Sequence, residues 1–300
     1  MDQSHEHAGL SEKHSGYDEV RADRRQQFRK ESGRTLSASS QASGSRKVLL
    51  EAHDLGKDFL SDNGNELEII RSISFTLAPG EIVSLVGPSG CGKTTLLNLL
   101  CRLTEPSRGA VLWNGREIGS VPAGVGYMLQ KDLLLPWRTA LGNVMLGLEV
   151  KGGTRAANTA RSHALLDQLG LSAFAGHYPS TLSGGMRQRV ALARTLAPEP
   201  DVLLFDEPFS ALDFQTKILI ERDTLRLVRE LGRSLLLITH DVEEAVSLSD
   251  RVLVLSRRPC TIVAEHRIDL DDDRSNLIAL RESKGFAHHV RQIWAELDIR

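Results

Sequence analysis

The residues Gly87-Pro88-Ser89-Gly90-Cys91-Gly92-Lys93-Thr94 have the spacing G-x-x-x-x-G-K-T. Glycines let the backbone curl so that several N–H groups converge on phosphate oxygens. The run follows a buried-strand pattern (81–87) and opens a segment of helical periodicity (94–103), whose N-terminus adds positive potential. In such a loop Lys93 reaches the β- and γ-phosphates and Thr94 places its hydroxyl on Mg2+. Cys91 fills a free position of the loop, where its backbone matters more than its sulfur, and no redox role is expected of it. A second group comes from 202–207, where Val202, Leu203, Leu204 and Phe205 are followed at once by Asp206 and Glu207. That places both carboxylates at the C-terminal end of a buried strand, where open α/β sheets bind ligands. Successive strand side chains point to opposite faces, so the two acids are expected to do different work: one on Mg2+, the other facing the γ-phosphate. A strand that simply ends at a charged turn is the blander reading, and the phosphate loop upstream weighs against it.

The elements that position these groups follow from the apolar pattern. Short β-rich segments fall at 48–53, 66–70, 72–77, 110–113 and 125–129, and buried-strand runs at 81–87, 202–205, 234–240 and 251–256. Residues 139–197 are mostly helical in pattern. From about 274 a further helical stretch carries Leu277, Leu280, Phe286, Val290, Ile293 and Leu297 on one face. Strands alternating with helices imply an α/β fold with a mostly parallel sheet.

With 300 residues, 41% hydrophobic and 25% charged, the chain has the composition of a globular protein with ample length for a core. A net charge of −2 argues against a protein built to grip nucleic acid. No run approaches 18 apolar residues, and the N-terminus lacks the pattern of a signal peptide. Three scattered cysteines, Cys91, Cys101 and Cys260, exclude a disulfide framework and fit a reducing compartment. Residues 1–47 are poor in apolar side chains and rich in Ser, Arg, Glu and His, which reads as a disordered tail. Its His5, His7 and His14 have no acidic or cysteine partner that would make a metal site.

Leu182-Ser183-Gly184-Gly185-Met186-Arg187-Gln188-Arg189 stands just before the acidic strand. It resembles the signature motif of ABC-type ATPases, and the resemblance extends over about residues 48–268. The one departure is Met186 where Gln is commoner, which leaves the Ser-Gly-Gly backbone intact. The resemblance implies an α/β P-loop NTPase core with an N-terminal antiparallel β subdomain and an inserted α-helical signature subdomain. The ABC ATPase domain would span 48–270, its helical subdomain about 131–197, followed by a C-terminal helical extension, 271–300. ATP and Mg2+ are the implied cofactors. Phe59 would stack on adenine, and Gly87, Pro88, Ser89, Gly90, Cys91, Gly92, Lys93, Thr94 and Thr95 would hold the phosphates. Gln130 would touch Mg2+ beside Thr94 and Asp206, Glu207 would be the general base, and His240 the switch histidine. Ser183, Gly184, Gly185 and Asp213 would act across a dimer interface, two copies clamping ATP head to tail.

The resemblance is greatest to the nitrate/sulfonate/taurine branch of importers. It implies a pair of integral-membrane permease subunits, a periplasmic or lipoprotein substrate-binding protein, and a peripheral place on the cytoplasmic face of the membrane. Leu133-Leu134-Leu135-Pro136-Trp137 is apolar for a loop and is the expected permease contact. An exporter subunit and a non-transport ABC ATPase remain the alternatives, the latter disfavoured by the single cassette and the lack of sustained heptads.

Overall fold

The computed structural model describes residues 48–60, 63–270, 274 and 276–297, so the expected tail, 1–47, lies outside the described residues. Ten strands form one sheet in the order β5-β4-β1-β2-β10-β9-β3-β8-β7-β6. One half is parallel. β3 (Ile82–Val86) lies between β8 (Ser234–Thr239) and β9 (Arg251–Leu255), and β7 (Val202–Asp206) lies between β8 and β6 (Val125–Met128). β3, β7 and β8 are buried along their whole length, which is why they read as continuous apolar runs. The other half is antiparallel: β1 (Leu50–Leu60) pairs with β2 (Glu66–Leu77) and with β4 (Arg108–Trp113), which carries the short β5 (Arg116–Glu117). β10 (Cys260–Arg267) runs antiparallel to β9 and parallel to β2, joining the halves.

Two strands are longer than the apolar pattern suggests. Segments 66–70 and 72–77 form one strand across exposed Arg71, and β1 runs on past Gly56 to Leu60 through a series of register shifts. The extension follows from pairing: β1 is bonded to a strand on each side, and that cross-strand support carries it over polar residues.

Eight α-helices are described: α1 (Lys93–Leu100), α2 (Ala140–Lys151), α3 (Arg155–Gln168), α4 (Gly184–Leu196), α5 (Phe214–Glu230), α6 (Val242–Leu248), α7 (Leu277–Glu282) and α8 (Lys284–Glu296). Thr139, Thr154 and Ser183 cap α2, α3 and α4, each accepting from a backbone N–H three residues on. Asn143, wholly buried, accepts from Leu135 N at 2.7 Å and donates to the carbonyls of Leu135, Arg138 and Thr139. Its amide thus fixes the segment 135–139 on α2. One apolar cluster joins α2–α8 to one face of the sheet; a second joins β1, β2 and α1 to the other.

The C-terminal helices bury the expected face: Leu277, Leu280, Phe286, Ile293 and Leu297 are all in the core. They also bring a cation that the apolar pattern does not announce. Arg281 Nη2 donates to Glu221 Oε2 at 2.7 Å, beside buried Glu244 and the Lys217 ammonium. Burial pushes the Glu221 carboxyl up to about 8, the Glu244 charge adding to it and Arg281 and Lys217 opposing it. Native Glu221 therefore holds a proton near neutrality that the unfolded chain releases. Stability falls as pH rises from the ordinary carboxylate range to about 8. Glu221→Gln should flatten that decline, read as melting temperature against pH. Arg281→Ala should cost about 3 kcal/mol, the low end for a broken buried pair because Glu221 can keep its proton. Urea unfolding would read a larger loss above pH 8 than at pH 6.

Candidate active site

The site grows from the C-terminal ends of the parallel strands. β3 delivers the loop 87–92, and α1 begins at once with Lys93. Gly92 has φ +120°, and a Cβ there would lie 2.9 Å from Ile69 Cγ2, so both conformation and close approach exclude a side chain. Lys93 is 6% exposed. Its Nζ donates to Gly87 O at 2.9 Å and Pro88 O at 3.1 Å, and lies 3.5 Å from Glu207 Oε1.

Thr94 Oγ1 donates to Asp206 Oδ2 at 2.8 Å. Burial pushes the Asp206 carboxyl up, with Glu207 adding to it, against the Thr94 hydrogen bond and the Lys93 charge. A buried carboxylate beside a hydroxyl is a set of hard oxygen donors. It suits Mg2+, which is held by one or two carboxylates and completed by phosphate oxygens and water.

Asp206 and Glu207 do not alternate across a strand as expected. β7 ends at Asp206, and Glu207 takes a left-handed backbone, φ 47°, while its N–H donates to Ile238 O at 2.9 Å. That turn sends both carboxylates toward the phosphate loop, Asp206 to Thr94 and Glu207 to Lys93. A glutamate in this region is held there against a local energy cost, a feature concentrated at functional sites. His240, directly after β8 and half exposed, places Nδ1 3.0 Å from Glu207 Oε2.

Gln130 is exposed after β6, and its Nε2 donates at 3.2 Å to Ser210 Oγ rather than to the Thr94–Asp206 pair. Ser210 Oγ in turn donates to Glu207 O at 2.9 Å. Ser210 thus bridges Gln130 to the backbone of Glu207, three residues before it across a tight turn.

Phe59 is exposed near the end of β1, with the Lys57 ammonium 4.9 Å from its ring centroid, so it is not a core aromatic. Cys91 is buried beneath the loop, whereas Ser89, Gly90 and Thr94 face solvent.

Ser183 and Gly184 are exposed at the start of α4. Gly185 cannot carry a side chain, because its Cβ would fall 2.5 Å from Thr216 Cγ2 on α5. Among the described residues no hydrogen bond links Ser183, Gly184 or Gly185 to the phosphate loop. Asp213, also exposed, caps α5 by accepting from Thr216 N at 3.0 Å.

A strand–loop–helix phosphate cradle with acids from a strand two places along the sheet defines the class, a P-loop nucleoside triphosphatase. The comparisons narrow it. The ABC transporter family matches residues 70–210. The aliphatic sulfonates import ATP-binding protein SsuB 1 of Xanthomonas axonopodis pv. citri is 44% identical over 239 residues, covering 78% of this chain and 93% of that one. The taurine import ATP-binding protein TauB of Jannaschia sp. is 40% identical over 224 residues, covering 75% and 84%. The dimeric post-hydrolysis structure of the ATP-binding cassette MJ0796, bound to ADP and Pi, superposes with a TM-score of 0.66 at 28% identity, covering 74% of this chain and all of that one. The chain belongs to the ATP-binding proteins of ABC transporters; it binds ATP and is an ATPase. Among the described residues no helix is long and apolar enough to cross a membrane.

Proposed function

We propose that this chain is the ATP-hydrolysing subunit of an importer for a small sulfonate- or taurine-like anion. It would work as a head-to-tail pair on the cytoplasmic face of the membrane, with two permease chains and a separate substrate-binding protein. The observation that carries the reading is the exposed serine-glycine start of α4, bonded to no part of its own chain's phosphate loop. A helix N-terminus so presented suits the phosphates of a nucleotide held by a second copy. The names of the relatives that import sulfonates and taurine support the direction of transport and the cargo class.

In this mechanism the loop N–H groups and Lys93 hold the β- and γ-phosphates, and Phe59 stacks on the adenine. Thr94 and Asp206 would hold Mg2+, joined by Gln130 once it leaves Ser210; the ion would draw charge off the phosphate oxygens. Glu207 takes the proton of the attacking water, and His240, 3.0 Å away, keeps its carboxylate aimed. Lys93 and the partner's signature stabilise the charge gathering on the γ-phosphate, and ADP and phosphate leave as the dimer opens.

Leu133 and Trp137 are 53% and 71% exposed, and Asn143 fixes the segment between Trp137 and α2. This is the permease contact in our reading. Reconstituted with its permease and binding protein in vesicles, the complex should take up taurine or an alkanesulfonate in an ATP-dependent way. ATP-driven efflux, or no substrate response, would overturn the proposal. Trp137→Ala should cut permease-stimulated hydrolysis about tenfold or more, the loss of one buried aromatic anchor. Unchanged stimulation would remove Trp137 from the interface.

A further inference from the structure

The sequence separates Cys91 and Cys260 by most of the chain, and the fold brings them together under the phosphate loop. Three contacts locate the pair. A Cβ on Gly92 would touch Ile69 and Ile70 of β2, and Ile70 is the cross-strand partner of Cys260. A Cβ on Gly87 would fall 2.9 Å from Leu255 Cβ of β9 and 3.4 Å from Cys91 Sγ. Arg258, two residues before Cys260, donates from Nη2 to Gly90 O at 2.9 Å. The loop therefore sits on the start of β10, which brings the Cys260 and Cys91 thiols within reach of each other's influence. Both thiols are free and buried, yet Cys91 forms part of the wall of a pocket of about 460 Å³ that Arg257 and Arg258 also line.

We propose that Cys91 and Cys260 are a peroxide-sensitive thiol pair whose disulfide disables the phosphate loop. The loop alone gives no reason to expect a redox role for Cys91; its partner arrives on a strand with little apolar signal of its own. The chemistry is favourable at the loop. The neighbouring Cys260 thiol is the largest cause holding the Cys91 thiol down to about 7, with burial opposing and the Lys93 charge assisting. An attacking thiol is most effective when its pKa lies near ambient pH. The Cys91 thiolate attacks hydrogen peroxide, forming the sulfenic acid and releasing hydroxide. The Cys260 sulfur then attacks the sulfenic sulfur, its proton and the departing hydroxyl leaving as water. In all, two thiols lose two electrons, and one peroxide becomes two waters.

The consequence for ATP follows from distance, and rests on the phosphate loop being the nucleotide site. Closing the bond draws the sulfurs together to about 2.05 Å. Drawing Cys91 toward β10 would carry with it the backbone of Gly90–Gly92, part of the loop that would hold the phosphates. A misplacement of about 1 Å in a positioned site is worth about 100-fold.

The test is peroxide titration of the full chain, followed by intact mass and peptide mapping, with affinity read by a fluorescent ATP analogue. The expected product is lighter by two hydrogens and yields a Cys91–Cys260 cross-linked peptide. ATP affinity should drop about tenfold or more, and dithiothreitol should restore mass and affinity together. Cys260→Ala, and Cys260→Ser should the alanine chain not fold, should give no loss of two hydrogens and instead gain oxygen on Cys91. Absence of the cross-link in the wild-type chain would overturn the proposal, as would a link to Cys101 instead. A cross-linked chain that binds the analogue normally would also overturn it. Because the bond is read by mass, its formation is scored even if the transport reading fails.

Discussion

Glu207→Gln protein should bind ATP normally and hydrolyse it about 10²- to 10⁴-fold more slowly, the contribution of a positioned general base. The change keeps the shape of the site. A glutamine oxygen still accepts from Lys93, 3.5 Å away, and its amide still reaches His240. The Thr94–Asp206 contact and the phosphate cradle do not depend on the lost charge. Only the ability to take a proton from water is removed. With binding intact and hydrolysis stopped, the two copies should stay closed on ATP, and gel filtration with ATP should show a dimer that the unsubstituted chain forms only briefly. Turnover within a few-fold of normal, or a monomer under saturating ATP, would remove Glu207 from the role of base.

Lys93→Ala should have the opposite signature, loss of binding rather than of turnover alone. The ammonium is nearly enclosed and is poised between the loop carbonyls and Glu207. A hydrogen bond to a charged group is worth about 1.5–3 kcal/mol, so one to the β- and one to the γ-phosphate make about 100-fold or more in affinity. The substitution also leaves Glu207 without its cation, which raises the repulsion that an incoming triphosphate meets. Calorimetric titration with ATP should detect weak or no binding, while the melting temperature of the free protein shifts little. A normal isotherm would refute the role.

The phosphate loop, the acidic strand end and the serine-glycine start of α4 were legible because each is a local pattern: a turn that needs glycine, an apolar run that ends in charge, a cap before a helix. The parallel half of the sheet was legible for the same reason, since β3, β7 and β8 are buried on both faces. What escaped depends on residues distant in the chain. Past Cys260, β10 alternates partly buried and exposed positions and gains its place by pairing with β9 and β2. The direction of Glu207 depends on a left-handed turn that no residue type announces. Arg281 is an ordinary charge on a helix until the fold sets it against Glu221, sixty positions away. Gln130 and Ser210 are similarly separated, so their hydrogen bond could not be read from either motif.

The helix α4 holds more than its exposed first turn. Arg194 donates to the carbonyls of Asp132 and Leu133, Arg187 pairs with the Asp132 carboxylate at 3.0 Å, and Gln188 donates to Pro208 O beside Glu207. From Ser183 to Arg194 is about 16 Å of helix. A single stiff rod is therefore bolted at its far end to the apolar loop and nearer its start to Asp132 and the hydrolytic turn, while Ser183 and Gly184 at its tip stay exposed. In the proposed transporter, force applied at Leu133 would reach that tip along this one helix. If this loop meets the permease as proposed, replacing the exposed Leu133 and Trp137 would re-address the motor to a different pore while leaving buried Leu134 and the phosphate loop in place.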